Sequence, residues 1–151
     1  MKIPATKDIL FVSIQLLLFV IYFIPFRISS FQLISFFKYF ALFVSLIGIL
    51  VIALAILQLD KNLTPFPSPK ENGTLIQTGL YKFVRHPIYS GIILSTIGLG
   101  FFFGSISKIS IGIILWVLFF FKSKYEETML SNHFTEYEAY KKTTNRFFPF
   151  P

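Results

Sequence analysis

The chain has no cysteine and only two histidines, His86 and His133. Without thiols it has no disulfide, no zinc-thiolate site and no cysteine nucleophile. Two histidines are too few for an all-protein transition-metal centre, so no metal site is expected. Acidic residues are scarce as well: seven Asp and Glu against 14 Lys and Arg, with charged residues at 14%. No glycine-rich turn from strand to helix of the dinucleotide-binding kind occurs anywhere.

Apolar residues are abundant. They make up 54% of the chain, and 21 of the 151 positions are phenylalanine. That composition lies outside the range of soluble domains and reads as a membrane protein. The formal charge of +7 is spread between apolar runs rather than gathered in a patch. It suits anionic lipid headgroups, and nucleic acid is not expected as a partner.

Four apolar runs stand out: Ile9 to Phe26, about Phe40 to Leu57, Ile88 to Phe103 and Ile106 to Phe121. Lys2 and Lys7 precede the first like the basic end of a signal peptide, but no small-residue cleavage site follows, so it reads as a retained span. The last two are joined by Gly104-Ser105, which suits a tight helical hairpin. Each of these is a few ångströms short of a hydrocarbon core of roughly 30 Å. The expected fold is an all-α integral membrane helical bundle with about four transmembrane helices and a C-terminal amphipathic cytoplasmic helix. With both termini in the cytoplasm, Lys2, Lys7, Lys61, Lys70, Lys82, Arg85, Lys122, Lys124, Lys141, Lys142 and Arg146 lie inside, and Arg27, Lys38 and Lys108 lie outside. Eleven against three is the bias that positive-inside topology predicts. This multi-pass arrangement puts the 59–87 loop and the tail after Phe121 on one side of the membrane.

The loop DKNLTPFPSPKENGTLIQTG alternates Pro65, Pro67 and Pro69, which forces extended backbone, and Asn72-Gly73 and Thr78-Gly79 mark turns. Leu63, Phe66, Leu75 and Ile76 give it apolar anchors that a plain linker lacks. The tail KSKYEETMLSNHFTEYEAYKK reads as an amphipathic helix continuing the fourth span, with Leu130, Phe134 and Tyr137 on one stripe with Glu126 and Glu127. Taken singly, the polar features have plain explanations. Arg85-His86-Pro87 would be a headgroup-binding arginine, an interfacial histidine and a first-turn proline. Tyr81 and Tyr89 would be belt aromatics, Gly91, Gly98 and Gly100 close helix contacts, and Glu126 and Glu127 solvated charges beside Lys122 or Lys124. His133 is expected to be exposed and without a role.

The joint pattern says more. Gly73-x-Leu75-x-x-Thr78-Gly79-x-Tyr81-x-x-x-Arg85-His86-Pro87-x-Tyr89-x-Gly91 is followed by the hairpin. After it come Glu126-Glu127-x-x-Leu130-x-x-x-Phe134-x-x-Tyr137-x-x-Tyr140, with Arg146 and Pro149 trailing. From about Asn62 to Pro151 this resembles the isoprenylcysteine carboxyl methyltransferase family, and related phospholipid methyltransferases share part of it; the first two spans carry no signature. The division this suggests is residues 1–58 as two N-terminal transmembrane helices and 59–151 as the cofactor-binding region. The resemblance implies a membrane enzyme that uses S-adenosyl-L-methionine, bound by Thr74, Leu75, Ile76, Tyr81, His86, Pro87, Tyr89 and Glu126. It implies Arg85, Lys122 and Glu127 as the catalytic charged groups, and a lipophilic or lipidated acceptor, with membrane lipids as the other partner. The acceptor suggested is a prenylcysteine-type carboxylate.

Such a displacement at a methyl carbon needs alignment and exclusion of water rather than a nucleophile and base pair. Two positions depart from the prenylcysteine enzymes. Lys122 stands where they have an arginine four residues before the first glutamate, with Lys124 as a second candidate for that charge, and Gly104-Ser105 stands where they usually have Asn-Pro. Lysine keeps the charge but loses the two-pronged grip on a carboxylate. The alternatives are a phospholipid or amine N-methyltransferase, an NADPH-dependent sterol-type reductase of related fold, and a non-enzymatic membrane scaffold.

Overall fold

A computed structural model describes residues 5–25 and 29–149. Lys2, Phe26, Arg27 and Pro151, which enter the sequence reading, lie outside the described residues. The chain is all-α: α1 (Thr6–Phe23), α2 (Ser35–Leu59), α3 (Pro87–Phe102), α4 (Ile106–His133) and α5 (Tyr137–Thr143), with short 3-10 turns at Asp60–Asn62 and Gly79–Lys82. Among the described residues there is no strand, only isolated bridges pairing Ser30 with Ser105 and Val84 with Asn145.

Three helices, α1, α2 and α4, are long and apolar enough to cross a membrane. Side chains such as Leu17, Phe43, Leu57 and Phe121 are exposed on their outer faces, a surface that hydrocarbon rather than water would cover. Four spans are expected from the sequence; the third run is the exception in length. At 16 residues α3 rises only about 24 Å. It is instead the central helix, packed between α2 and α4. Its enclosure accounts for its composition. Ser90, Ser95 and Thr96 are buried and turn their hydroxyls onto carbonyls one turn back, Ser95 Oγ to Gly91 O at 2.7 Å and Thr96 Oγ1 to Ile92 O at 2.7 Å. The backbones of α2 and α3 touch, since a Cβ at Gly91 would lie 2.6 Å from the Gly48 carbonyl oxygen.

The α3–α4 hairpin turns at Gly104, whose φ of 57° belongs to the left-handed region that favours glycine. Ser105 then caps α4 by accepting from the Lys108 N–H at 3.4 Å. Running antiparallel, the helices bring the start of α1, the end of α2, the start of α3 and the late turns of α4 to one end of the bundle.

The tail corrects the sequence reading. Leu130, Phe134 and Tyr137 do not share one helix, because α4 stops at His133 and Phe134 is extended before α5 begins at Tyr137. The break turns Tyr137 and Tyr140 inward, where both are buried, and the Tyr140 hydroxyl donates to Tyr81 O at 2.5 Å. It also returns the chain to α3: Arg85 N donates to Asn145 O at 2.9 Å and His86 N to Arg146 O at 3.1 Å. His133 is exposed.

Candidate functional site

A cavity of about 330 Å³ opens at the end of the bundle where those helix termini meet. Its wall includes Thr74, Leu75, Ile76, Tyr81, His86, Pro87, Tyr89 and Glu126, the eight residues named from the sequence for a cofactor, together with Arg85 and Lys122. Glu127 does not line it. Leu130, Phe134, Tyr137 and Tyr140 close the side formed by the tail, and Pro65 and Pro67 the side formed by the loop. Lys124 is exposed and lines no part of it.

The loop holds its shape through side chains on its own backbone. Asn62 Oδ1 accepts from Thr74 N at 2.9 Å and Lys70 Nζ donates to Lys61 O at 2.6 Å, pinching the segment at its neck. Pro67 is fully buried. Prolines cannot donate, so they fit where backbone must be extended without a ladder partner.

Adjacent glutamates on α4 face different environments. Glu127, with a side chain 2% exposed, receives Arg85 Nε at 2.9 Å, Arg146 Nη2 at 2.8 Å and Arg146 Nε at 3.1 Å, with His86 Nε2 at 3.3 Å. The Arg85 guanidinium also donates to the carbonyls of Lys141, at 3.0 Å, and Thr144. Both arginines are thus occupied within the protein. Glu126, 24% exposed at its side chain, takes the Tyr89 hydroxyl on Oε2 at 2.9 Å and lies 3.7 Å from His86 Nδ1. The His86 ring therefore stands between the two carboxylates, stacked on Tyr89 at 5.3 Å, and Tyr89 stacks in turn on Phe119 at 4.6 Å. Buried stacks of this kind fix ring orientation.

Lys122 is 2% exposed. Its ammonium donates to Gln15 Oε1 at 2.7 Å and Pro65 O at 3.0 Å, and lies 5.4 Å from the centre of the Tyr89 ring. Burial raises the pKa of Tyr81, helped by Glu126 and Tyr140, and pushes Tyr140 up to about 12. Burial, with Glu127 nearby, also raises Tyr137. These phenols stay protonated across the neutral range.

Two parts of the site were not singled out from the sequence. Arg146 appeared there only as a trailing residue, yet it supplies two of the contacts to Glu127. On α1, Asp8, Gln15 and Tyr22 recur every seven residues and so share one helix face. Asp8 is fully buried and accepts from the Ser68 hydroxyl, Gln15 holds Lys122, and Tyr22 donates to Thr96 O at 2.8 Å while its own carbonyl accepts from Lys108 Nζ at 2.7 Å. A polar stripe of period seven in an apolar helix was the available signal.

Comparison with known proteins gives the chain a family. A family model described as phospholipid methyltransferase matches residues 36–137. It begins at α2, so a helix without a visible signature falls inside the match, while Arg146 falls outside it. A probable protein-S-isoprenylcysteine O-methyltransferase of Oryza sativa is 29% identical over 119 residues, covering 76% of this chain and 62% of the relative. The cobalt-zinc-cadmium resistance protein CzcN of Cupriavidus metallidurans is 30% identical over 83 residues, 54% of this chain and 38% of its own. The fold is also that of a solved eukaryotic intramembrane Ras methyltransferase, isoprenylcysteine carboxyl methyltransferase, with a TM-score of 0.67 and 22% identity over 98% of this chain and 54% of that one. The chain thus spans between about a third and two thirds of the length of these proteins. It belongs to the phospholipid methyltransferase family, with a probable isoprenylcysteine methyltransferase among its relatives.

Proposed function

We propose that this protein is an integral membrane methyltransferase that uses S-adenosyl-L-methionine to methylate a lipophilic acceptor, a prenylcysteine-type carboxylate. One observation carries the reading: the Arg85-His86-Pro87 turn and the Glu126 turn of α4, 37 residues apart from Tyr89 to Glu126, meet through the Tyr89–Glu126 hydrogen bond on the wall of a single cavity. A volume of about 330 Å³ is at the small end of cofactor pockets. Its lining suits the cofactor: aromatic faces for a cation and a purine, a carboxylate for ribose or ammonium, and backbone of residues 74–76 for polar edges.

S-adenosyl-L-methionine, when bound, supplies an electrophilic methyl group. The protein's part is placement. Tyr81 and Tyr89 would present aromatic surface, and Glu126 would use its accepting capacity towards the cofactor. Lys122, a buried cation of the cavity wall with no direct carboxylate partner among the described residues, would draw in and orient an anionic nucleophile. Glu127 and Arg85 are better read as positioning residues, because Glu127 is held by Arg85 and Arg146 and the Arg85 guanidinium by Glu127 and the carbonyls of Lys141 and Thr144. Water exclusion would come from the loop around Pro65 and Pro67 and the aromatic tail, Phe134 to Tyr140. The site end of the bundle would face the cytoplasm.

Purified protein in detergent, given methyl-labelled cofactor with farnesylcysteine analogues and lipid extract in parallel, tests the reading. Label in the farnesylcysteine fraction is the expected result. Label in phosphatidylethanolamine instead would move the chain to the phospholipid amine methyltransferases, the class for which its family model is described. No binding of the cofactor at all would overturn the enzyme.

A further inference from the structure

Lys122 differs from the other cations of the site: Lys70, which also lines the cavity, is exposed and held by the Lys61 carbonyl, whereas Lys122 is buried. Arg85 and Arg146 are both paired with Glu127. Among the described residues no carboxylate lies within ion-pairing distance of Lys122 Nζ. The two acids of its neighbourhood are turned elsewhere, Glu126 Oε2 towards Tyr89 and Asp8 Oδ2 towards Ser68. The recorded partners of Lys122 are the neutral oxygens of Gln15 and Pro65 and the face of Tyr89. A buried charge is ordinarily paired with its opposite. Here the chain anchors an ammonium at a cavity wall with no carboxylate paired to it directly, and Glu126 and Asp8 act on it only through space. An ammonium has three donors, and two are used.

We propose that Gln15 of α1 is a positioning residue whose neutrality matters: it tethers the Lys122 ammonium without cancelling it, so that the cavity selects ligands bearing an anionic group, a carboxylate or a phosphate. This deepens the acceptor side of the proposed function and gives α1 a part in specificity. A carboxylate in place of Gln15 would hold the ammonium at least as firmly and neutralise it.

Gln15→Glu separates this from a purely structural tether. The probes are N-acetyl-S-farnesylcysteine, its neutral primary amide, and farnesyl monophosphate, which share one tail. Affinities are read from ligand-induced shifts of thermal unfolding in detergent, without cofactor. The wild-type protein is expected to bind an anionic probe about tenfold or more tightly than the amide, the scale of one charge-assisted hydrogen bond. The tighter of the two anions identifies the headgroup. In Gln15→Glu the preference should fall to about twofold or less with the unfolding midpoint held or raised. A wild-type protein indifferent to probe charge, or a Gln15→Glu variant that keeps the preference, overturns the proposal. Should Gln15→Glu fail to fold, Lys122→Gln provides the same test from the other partner: the preference must vanish, and its survival overturns the proposal. Labelled S-adenosyl-L-methionine titrated in parallel keeps the two readings apart. Its failure to bind removes the methyltransferase while leaving the anion preference to be decided by the three probes.

Discussion

Glu127 and Glu126 are neighbours in the chain, and the regions they belong to are built on opposite principles. Around Glu127, two arginines and a histidine ring converge on one carboxylate that is almost wholly enclosed. One residue earlier, the wall containing Glu126, Lys122 and Tyr89 is polar, partly open and less fully satisfied. The first region joins three segments, the start of α3, late α4 and the tail after α5. The second faces the cavity. The difference indicates that the closed cluster sets the frame and that the neighbouring wall keeps bonding capacity for something that arrives. Buried polar networks rigidify when every member is satisfied, and a buried polar group short of partners is costly until something pairs with it.

The largest expected effect comes from breaking the frame. Glu127→Ala leaves two arginines facing a carboxylate that is no longer there, and removing one member of a buried ion pair costs about 3–5 kcal/mol. For a chain of this length that corresponds to a fall of roughly 6–20 °C in the unfolding midpoint, read by thermal denaturation in detergent. A Glu127→Ala protein as stable as Glu126→Ala would abolish the distinction between the two regions.

Glu126→Gln sharpens the distinction from the other side. It keeps the shape and an oxygen for the Tyr89 hydroxyl, so the midpoint should move by no more than about 2 °C. Cofactor affinity should drop about 10–100-fold, the worth of one charged acceptor. Equilibrium binding of labelled cofactor measures it; a midpoint that collapses while affinity holds would reverse the roles. Tyr89→Phe is a smaller version of the same change. The stack on His86 and Phe119 survives, one hydrogen bond of about 1 kcal/mol is lost, and affinity should weaken about fivefold.

The two regions also differed in how far the sequence revealed them. The cavity wall was legible because its residues are clustered in short motifs: Tyr81 to Tyr89 spans nine positions, and Lys122 and Glu126 lie one helical turn apart. The frame was not. Arg146 reaches Glu127 only because α4 breaks at Phe134, and the sequence reading ran one amphipathic stripe straight through that break. Tyr137 instead opens a second helix, with its ring buried against the cavity. The short third run was ambiguous for a related reason. Its length falls below a full crossing, but its place between α2 and α4 lets serine and threonine sit inside it. The period of seven in Asp8, Gln15 and Tyr22 was present in the sequence. It is faint there because those three are isolated among lipid-facing side chains.

The smallest expected effect is a gain, and it lies where frame meets cavity. The Tyr137 ring is 1% exposed and its hydroxyl is buried without a hydrogen-bond partner. An unpartnered buried hydroxyl is a liability of about 1–3 kcal/mol, so Tyr137→Phe should stabilise the ligand-free protein by about 1 kcal/mol, or 2–4 °C. The pH dependence gives the sign of a second effect. Burial raises the Tyr137 pKa above its ordinary 10.0 in the folded chain. At pH values below 10 both states hold the proton and the group contributes no slope. Above 10 the unfolded chain releases it first, and wild-type stability falls by up to about 1.4 kcal/mol per pH unit from this residue. Phenylalanine has no proton to release. The advantage of Tyr137→Phe should therefore be constant from pH 7 to 9 and widen from pH 10 upwards. A gap that stays level above pH 10 would mean that this hydroxyl reaches solvent, and the frame would then be open at the point where it borders the cavity.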